Sequence, residues 1–185
     1  VKLAKEYKAR IYVDDAHSIG VLGTNGRGTA DYFNLTDEVD VIMGTFSKSC
    51  ASIGGFIAST EDVIHYIKHN ARPFIFSASM PPSAVATVLK CLEIMEEEPE
   101  IITQLWENAK KMKSGFDEMG FNTMNSQTPI IPILIGDENL TFYIAKELYD
   151  HGLFVTPVIA PAVPKGMGLI RTSYMSSHKE KELKL

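Results

Sequence analysis

The stretch that most constrains the fold is 11–18, IYVDDAHS, in which an apolar run leads directly into two carboxylates and an imidazole. This pattern is typical of a buried strand that delivers polar groups at its carboxyl end, where open α/β sheets bind their ligands. A second apolar run, 39–43, leads into a loop that carries Lys48. If the two strands are neighbours in a parallel sheet, Asp14, His17 and Lys48 converge on one crevice.

The composition of the chain favours one class of protein and excludes others. Of its 185 residues, 45% are hydrophobic and 22% are charged, which is typical of a globular protein with one domain or two small ones. The formal net charge is −5, with acidic and basic residues interspersed. Because phosphate binding needs a concentrated basic face, this argues against a nucleic-acid partner. No apolar run is long enough to predict a transmembrane segment.

Two further features concern the location and the extent of the chain. The only cysteines, Cys50 and Cys91, are too few for a disulfide scaffold or a zinc knuckle. Together with the lack of a signal peptide, this predicts a cytoplasmic protein. Residues 1–7 resemble the tail of an amphipathic helix without its cap, and 177–183 the start of a helix without its body. We therefore expect a fragment of a longer chain.

The spacing of apolar residues predicts alternating helices and strands, and therefore an α/β fold. Helices are expected over 1–7, from Ser59 or Thr60 through 67, and over 81–95, 101–119 and 139–151. Strands are expected over 11–15, 39–43, 54–58, 128–135, 153–158 and 169–175, with a further extended segment over 73–80. Pro132 interrupts one strand and predicts that this strand lies at a sheet edge. A domain boundary is placed near residue 95, which gives domains of 1–95 and 96–185.

Lys48 stands at the end of a strand, among small hydroxyl residues rather than carboxylates. A lysine is usually solvated, but one held in a partly desolvated cleft loses its proton more readily and can form a Schiff base with an aldehyde cofactor. If that cofactor is pyridoxal phosphate (PLP), it also needs a carboxylate at its pyridinium nitrogen, a donor near its phenolic oxygen and hydroxyls at its phosphate. Asp14, His17 and Thr45 offer one of each.

These residues allow three other interpretations, namely a metal site, a phosphate-binding loop and a structural ion pair. Asp14, Asp15 and His17 could ligate a metal, but neighbours on an extended segment point to opposite faces and no further ligand cluster is evident, so no metal is predicted. The loop 44–49 is not a phosphate-binding P-loop, because the glycines of that motif are missing at the required spacing. A structural ion pair between Lys48 and Asp14 remains open.

Arg171 lies in an apolar strand start, where a charge is expensive without a partner. A bidentate contact with a substrate carboxylate would supply that partner. A salt bridge within the small domain would do so equally well, and the sequence does not choose between the two.

The motifs together resemble the α-oxoamine synthase family. They are, in chain order, DDAHSIG (14–20), GTNGRG (23–28), GTFSKS (44–49), FSASMPP (76–82), PAVPKG (161–166) and IRT (170–172). The resemblance extends over essentially the whole chain in the same order, and it corresponds to the second half of the family's longer chains.

The resemblance implies a fold and an activity. The fold is the aminotransferase-like (type I) PLP fold, here part of a large mixed-sheet domain followed by a small α+β domain. Members of the family use PLP to condense an amino acid with an acyl-CoA, most of them with release of CO₂. Within the family, 17–20 and the GTFSK loop resemble the branch that uses serine, whereas 161–166 and 170–172 resemble a branch that uses glycine. A third branch of the family shares most of the core motifs.

The resemblance also assigns roles to single residues. Lys48 would form the covalent link to PLP, Asp14 would pair with the pyridinium nitrogen, His17 would contact the phenolic oxygen and Thr45 would bind the phosphate. Lys48, displaced by substrate, would then move the proton at the α-carbon of the amino acid.

Three more residues match family positions that lie outside this constellation. Ser77 and Ala78 match positions that reach the phosphate of the partner subunit's cofactor, which implies a homodimer with shared active sites. Arg171 matches the arginine that receives the substrate carboxylate. Two alternatives stay open: a catalytically silent subunit of the same fold, and an aminotransferase of similar fold.

Overall fold

The computed structural model describes residues 1–184 and divides into two compact units. The first is Val1–Ile102 and the second begins at Thr103. The boundary predicted near residue 95 lies in one helix, whereas the division of the structure falls in the next. Among residues 1–184, no helix combines the length and the apolar character that crossing a membrane requires.

The first unit contains a three-stranded mixed sheet, five α-helices and two short 3-10 helices, Thr24–Gly26 and Thr36–Glu38. Its elements are α1 (Lys2–Tyr7), β1 (Tyr12–Asp14), α2 (Thr29–Tyr32), β2 (Val41–Thr45), β3 (Gly55–Ala58), α3 (Glu61–Asn70), α4 (Arg72–Ile75) and α5 (Pro82–Glu97). The strand order is β1-β2-β3; β1 and β2 are parallel, and β3 runs antiparallel to β2. The prediction that the first two strands are parallel neighbours is therefore confirmed.

The segment 73–80 was predicted to be extended, and this is wrong for its first part. Arg72–Ile75 forms the single helical turn α4, and the N–H of Phe76 closes it by donating to the carbonyl of Arg72 at 3.0 Å. Pro73 does not prevent this, because a proline in the first turn of a helix removes an N–H that would have no partner there. Residues 76–80 belong to neither a helix nor a strand.

The second unit is built on an antiparallel sheet. The long helix α6 (Glu100–Glu118) leads into it, followed by β4 (Ile130–Gly136), α7 (Glu138–Asp150), β5 (Thr156–Val158) and β6 (Gly168–Ser173). The strand order is β4-β6-β5, so Pro132 of β4 does lie on an edge strand, as predicted.

The core of the second unit lies between this sheet and α7. Ile131 and Ile170 are 0% and 1% exposed, and Thr141 and Ala145 of α7 are also buried. Asp137 caps α7 by accepting a hydrogen bond from the N–H of Leu140 at 2.8 Å, which satisfies one of the free donors at a helix start. The helix predicted over 139–151 is present, with both ends one residue earlier in the chain.

Candidate active site

Strand pairing places two of the predicted site residues on one face of the first sheet. In the parallel pair β1–β2, Asp14 stands opposite Met43. Since side chains alternate along a strand, Thr45 shares the face of Met43 and therefore that of Asp14. Asp14 is exposed, and one of its oxygens accepts the N–H of Ala16 at 2.9 Å. The carboxylate and the hydroxyl thus stand at the carboxyl ends of adjacent strands.

Asp15 points the other way and has a different task. Its side chain is 0% exposed, and its two oxygens accept the N–H of Thr29 at 3.1 and 3.0 Å. It also leaves no room for a Cβ at Gly28. Asp15 therefore anchors the glycine-rich loop to the end of β1. Among residues 1–184, no three His, Cys, Asp or Glu side chains are grouped to hold a metal ion.

His17 lies on an exposed turn directly after β1. The N–H groups of Ser18 and Ile19 both donate to the carbonyl of Asp15, at 2.9 and 3.1 Å. The hydroxyl of Thr29 donates to that of Ser18 at 2.7 Å. These bonds fix the backbone that carries the imidazole. The two backbone bonds share the carbonyl of Asp15 as their acceptor.

Lys48 is carried by a closed loop after β2, and its side chain is exposed. The N–H of Phe46 donates to the carbonyl of Gly54 at 3.0 Å, that of Ser52 to Phe46 at 2.8 Å and that of Ala51 to Lys48 at 3.0 Å. No carboxylate of residues 1–184 forms an ion pair with Lys48. The structural Lys48–Asp14 pair, left open by the sequence, is therefore not formed within the described chain.

The hydroxyl of Thr45 belongs to a small polar group at the base of this loop. It lies 2.9 Å from the hydroxyl of Ser47 and donates to the carbonyl of Gly54 at 3.2 Å. The N–H of Ser47 donates to it at 3.3 Å. Two hydroxyls and a backbone N–H are donor types that suit a phosphate.

Ser77 and Ala78 lie on the exposed segment that follows α4. The segment returns to the Lys48 loop at Met80, whose sulfur stands where a Cβ of Gly54 would be. Because Gly54 also has φ +95°, only glycine fits this approach without strain. Ser77 and Ala78 are thus exposed on the segment that packs against the base of the Lys48 loop.

Arg171 belongs to the second unit and is half-buried on β6, between Pro132 of β4 and Thr156 of β5. Its Nε is buried and has no hydrogen-bond partner. None of the carboxylates in residues 1–184 forms an ion pair with it. The salt bridge considered from the sequence is not present in the described chain, so this buried donor lacks a hydrogen-bond partner within residues 1–184.

Sequence reasoning missed the residues that hold the site together. Strand alternation could have separated Asp14 from Asp15, since one of two adjacent carboxylates must turn inward. The bond from the Ser49 hydroxyl to the carbonyl of Ile19, at 2.6 Å, had no signal in the sequence. It joins segments thirty residues apart.

Comparison with known proteins places the chain in a family. The model for aminotransferase class I and II matches residues 1–185. The chain belongs to this family. Its α/β fold, predicted from the motifs, is confirmed by a solved structure of SPT (serine palmitoyltransferase) with its PLP internal aldimine. That structure has a TM-score of 0.93 and 34% identity, over 99% of this chain and 46% of that one.

Curated relatives confirm the resemblance to α-oxoamine synthases. A serine palmitoyltransferase of Bacteriovorax stolpii is 55% identical over 99% of this chain, which covers 44% of that protein. An 8-amino-7-oxononanoate synthase of Treponema denticola is 44% identical over 99% of this chain, which covers 46% of it. Both kinds of protein are α-oxoamine synthases. The chain spans less than half the length of these relatives.

Proposed function

We propose that the complete protein is a PLP-dependent C-acyltransferase. It condenses an amino acid, in the first place serine, with an acyl-CoA to give an α-oxoamine, CoA and CO₂. The observation that carries the proposal is the pair of adjacent parallel strands that end in Asp14 and Thr45 on one face, with Lys48 on the loop just beyond. Neither Asp14 nor Lys48 is neutralised by an ion pair within residues 1–184.

The residues present fit the cofactor in chemical type. Asp14 would pair with the ring nitrogen, His17 would contact the phenolic oxygen and Thr45 would donate to the phosphate, while Lys48 would bond the aldehyde carbon. When bound, PLP supplies a ring that accepts electrons from the bond broken at the substrate α-carbon. The amine of Lys48, once displaced by substrate, would hold and move the proton at that carbon.

Arg171 would receive the carboxylate of the amino acid substrate. A guanidinium grips a carboxylate with two parallel N–H···O bonds, which fixes orientation as well as position. The buried Nε without a partner supports this role, because a bound carboxylate would satisfy it. Holding the carboxylate fixes which bond at the α-carbon lies perpendicular to the ring, and so which bond is broken.

Serine is placed first among the substrates because of the relatives. The serine palmitoyltransferase of Bacteriovorax stolpii is 55% identical to this chain, against 44% for the 8-amino-7-oxononanoate synthase of Treponema denticola. The second candidate is therefore 8-amino-7-oxononanoate synthase activity. Glycine C-acetyltransferase is supported only by the motifs in 161–172. A catalytically silent subunit would have no use for Lys48, Asp14 and Arg171 together.

We also propose a homodimer in which each active site takes residues from both subunits. Ser77 and Ala78 would reach the phosphate of the partner's cofactor, which their outward position on the surface of the first unit allows. A place in sphingolipid biosynthesis follows if serine and a long-chain acyl-CoA are the substrates. The cytoplasmic location stays a prediction from the sequence.

The test is a matrix of substrates on the complete protein loaded with PLP. Serine, glycine and alanine are each combined with a short and a long acyl-CoA, and the free CoA thiol and CO₂ are measured. We expect release with serine and a long acyl-CoA, and none from the Lys48→Ala variant. Lys68→Ala, which removes another exposed lysine on α3, is the matched control and should keep full activity. A protein that binds PLP but releases no thiol with any pair would be a silent subunit or an aminotransferase of similar fold, and either result would overturn the proposal.

A further inference from the structure

The loop that carries Lys48 is fastened to its surroundings at three points. The hydroxyl of Ser52 donates to the carbonyl of Ala84 at 3.1 Å, and the thiol of Cys91 donates to the carbonyl of Cys50 at 3.5 Å. Both of these bonds lead to α5. The third, from the hydroxyl of Ser49 to the carbonyl of Ile19 at 2.6 Å, leads instead to the turn after β1. Of the three, it alone joins Lys48 to the turn that bears His17.

The contact around this third bond is tight. A Cβ on Gly20 would lie 2.7 Å from the Cβ of Ser49 and 2.9 Å from the methyl of Met95, and Gly20 has φ +79°. Gly26 packs beneath it, since a Cβ there would lie 2.6 Å from the Cα of Gly20. Only glycines allow such an approach of backbone to backbone. The Lys48 loop therefore packs directly against the glycine-rich turn. The hydrogen bond of Ser49 fixes the relative position of the two segments.

We infer that Ser49 is a positioning residue, which sets the place of the Lys48 amine relative to Asp14 and His17. The inference rests on the proposed function, since it gives Lys48, Asp14 and His17 one shared cofactor. The amine would bond that cofactor, while Asp14 and His17 would hold other atoms of its ring. Both segments must then keep a fixed separation, and a displacement of about 1 Å can cost up to about a hundredfold in rate.

Ser52 provides a matched control for this role. It lies on the same loop and donates its hydroxyl to a backbone carbonyl, as Ser49 does, but its partner lies on α5. Ser52→Ala removes an anchor of the loop without touching the turn that bears His17. Ser49→Ala removes only an oxygen and introduces no new contact with Gly20. A difference between the two variants therefore isolates the link to the turn from general support of the loop.

The first experiment is hydrogen exchange on the complete protein without cofactor. Ser49→Ala should raise amide exchange over both 15–28 and 46–54, whereas Ser52→Ala should raise it over 46–54 and near Ala84. The second experiment uses the protein loaded with PLP. Ser49→Ala should shift the pH midpoint of the visible cofactor absorbance and lower kcat about tenfold, with the KM for the amino acid within about twofold. Ser52→Ala should leave both close to the wild-type values.

These measurements separate failure of the inference from failure of the proposed function. If Ser49→Ala leaves exchange over 15–28 unchanged, or matches Ser52→Ala in midpoint and kcat, Ser49 is not a positioning residue. If wild-type protein gains no visible absorbance with PLP, the proposed function falls. Exchange in the cofactor-free protein then still decides whether Ser49 couples the loop to the turn.

Discussion

The side chains of the two sheets differ in how deeply they are buried. The sheet of the second unit is closed by α7, and Ile131 and Ile170 are fully buried within it. The strands of the first unit leave large side chains open, with Tyr12 57% and Ile57 41% exposed within the described chain. Its loops are held by hydrogen bonds from polar side chains to the backbone. Asp15 is the most buried of these side chains. Within the described chain, the strands of the second sheet are therefore more deeply buried than those of the first.

The same contrast runs through the candidate site residues. Asp14, His17 and Lys48 are all exposed, on turns and strand ends where a bulky ring could reach them. Arg171 stands in the middle of a packed strand, half-buried and with its Nε unsatisfied. The first unit thus has three exposed polar side chains at the carboxyl ends of its strands and on the loops that follow. The second unit has one half-buried guanidinium.

The largest expected effect compares the two sheets by truncation. Ile170→Ala should lower the free energy of unfolding by about 2–5 kcal/mol, because it opens a cavity in a closed core. Ile57→Ala should cost clearly less, since its side chain is 41% exposed. Urea denaturation of the 185-residue chain, to which these exposures refer, measures both. An equal loss would show that the first sheet is packed as closely as the second.

A smaller effect separates the two adjacent carboxylates of the first unit. Asp15→Ala should cost about 1–3 kcal/mol, because the partly buried N–H of Thr29 loses its partner. Asp14→Ala should change stability by only about 0.5 kcal/mol or less, since Asp14 is exposed, yet it should weaken PLP binding. Thermal unfolding and cofactor titration of each variant are the measurements. A large stability loss from Asp14→Ala with normal cofactor binding would reverse the assignment.

The smallest effect concerns one surface carboxylate in each unit. The backbone N–H of Ile11, at 2.7 Å, and then Arg10 hold the pKa of Asp40 below its ordinary value of 3.8. Lys111 and then Lys184 lower the pKa of Glu180 to about 2. A lowered pKa gives stability that is present above the ordinary value and is lost as the pH falls through the folded-state value.

We therefore expect Asp40→Asn and Glu180→Gln each to lower Tm at pH 7, with a gap to wild type that closes as the pH falls below about 4. At about 1 M salt the gap for Glu180→Gln should shrink more, because its partners are exposed lysines, whereas Asp40 accepts a backbone N–H. Melting curves across pH and salt check this. A gap that widens in acid would contradict the sign, and equal salt sensitivity would contradict the contrast.

The sequence predicted the elements whose local signals agree with their packing. The strands around Asp14 and Arg171 and the helix α7 were predicted correctly because the spacing of their apolar residues agrees with the way these elements pack. The turn at Arg72–Ile75 was missed, since its apolar residues read equally well as extended chain. The bond from Ser49 to Ile19 could not be predicted, because it exists only once two distant loops meet.

The central claim is that Lys48 is the residue that bonds the cofactor. The most direct measurement incubates the complete protein with PLP, reduces it with borohydride and locates the modified lysine by peptide mass spectrometry. The account predicts one stoichiometric pyridoxyl group on the peptide that contains Lys48, and its loss in Lys48→Ala. Modification of a different lysine, or none above the level of surface lysines, would contradict it.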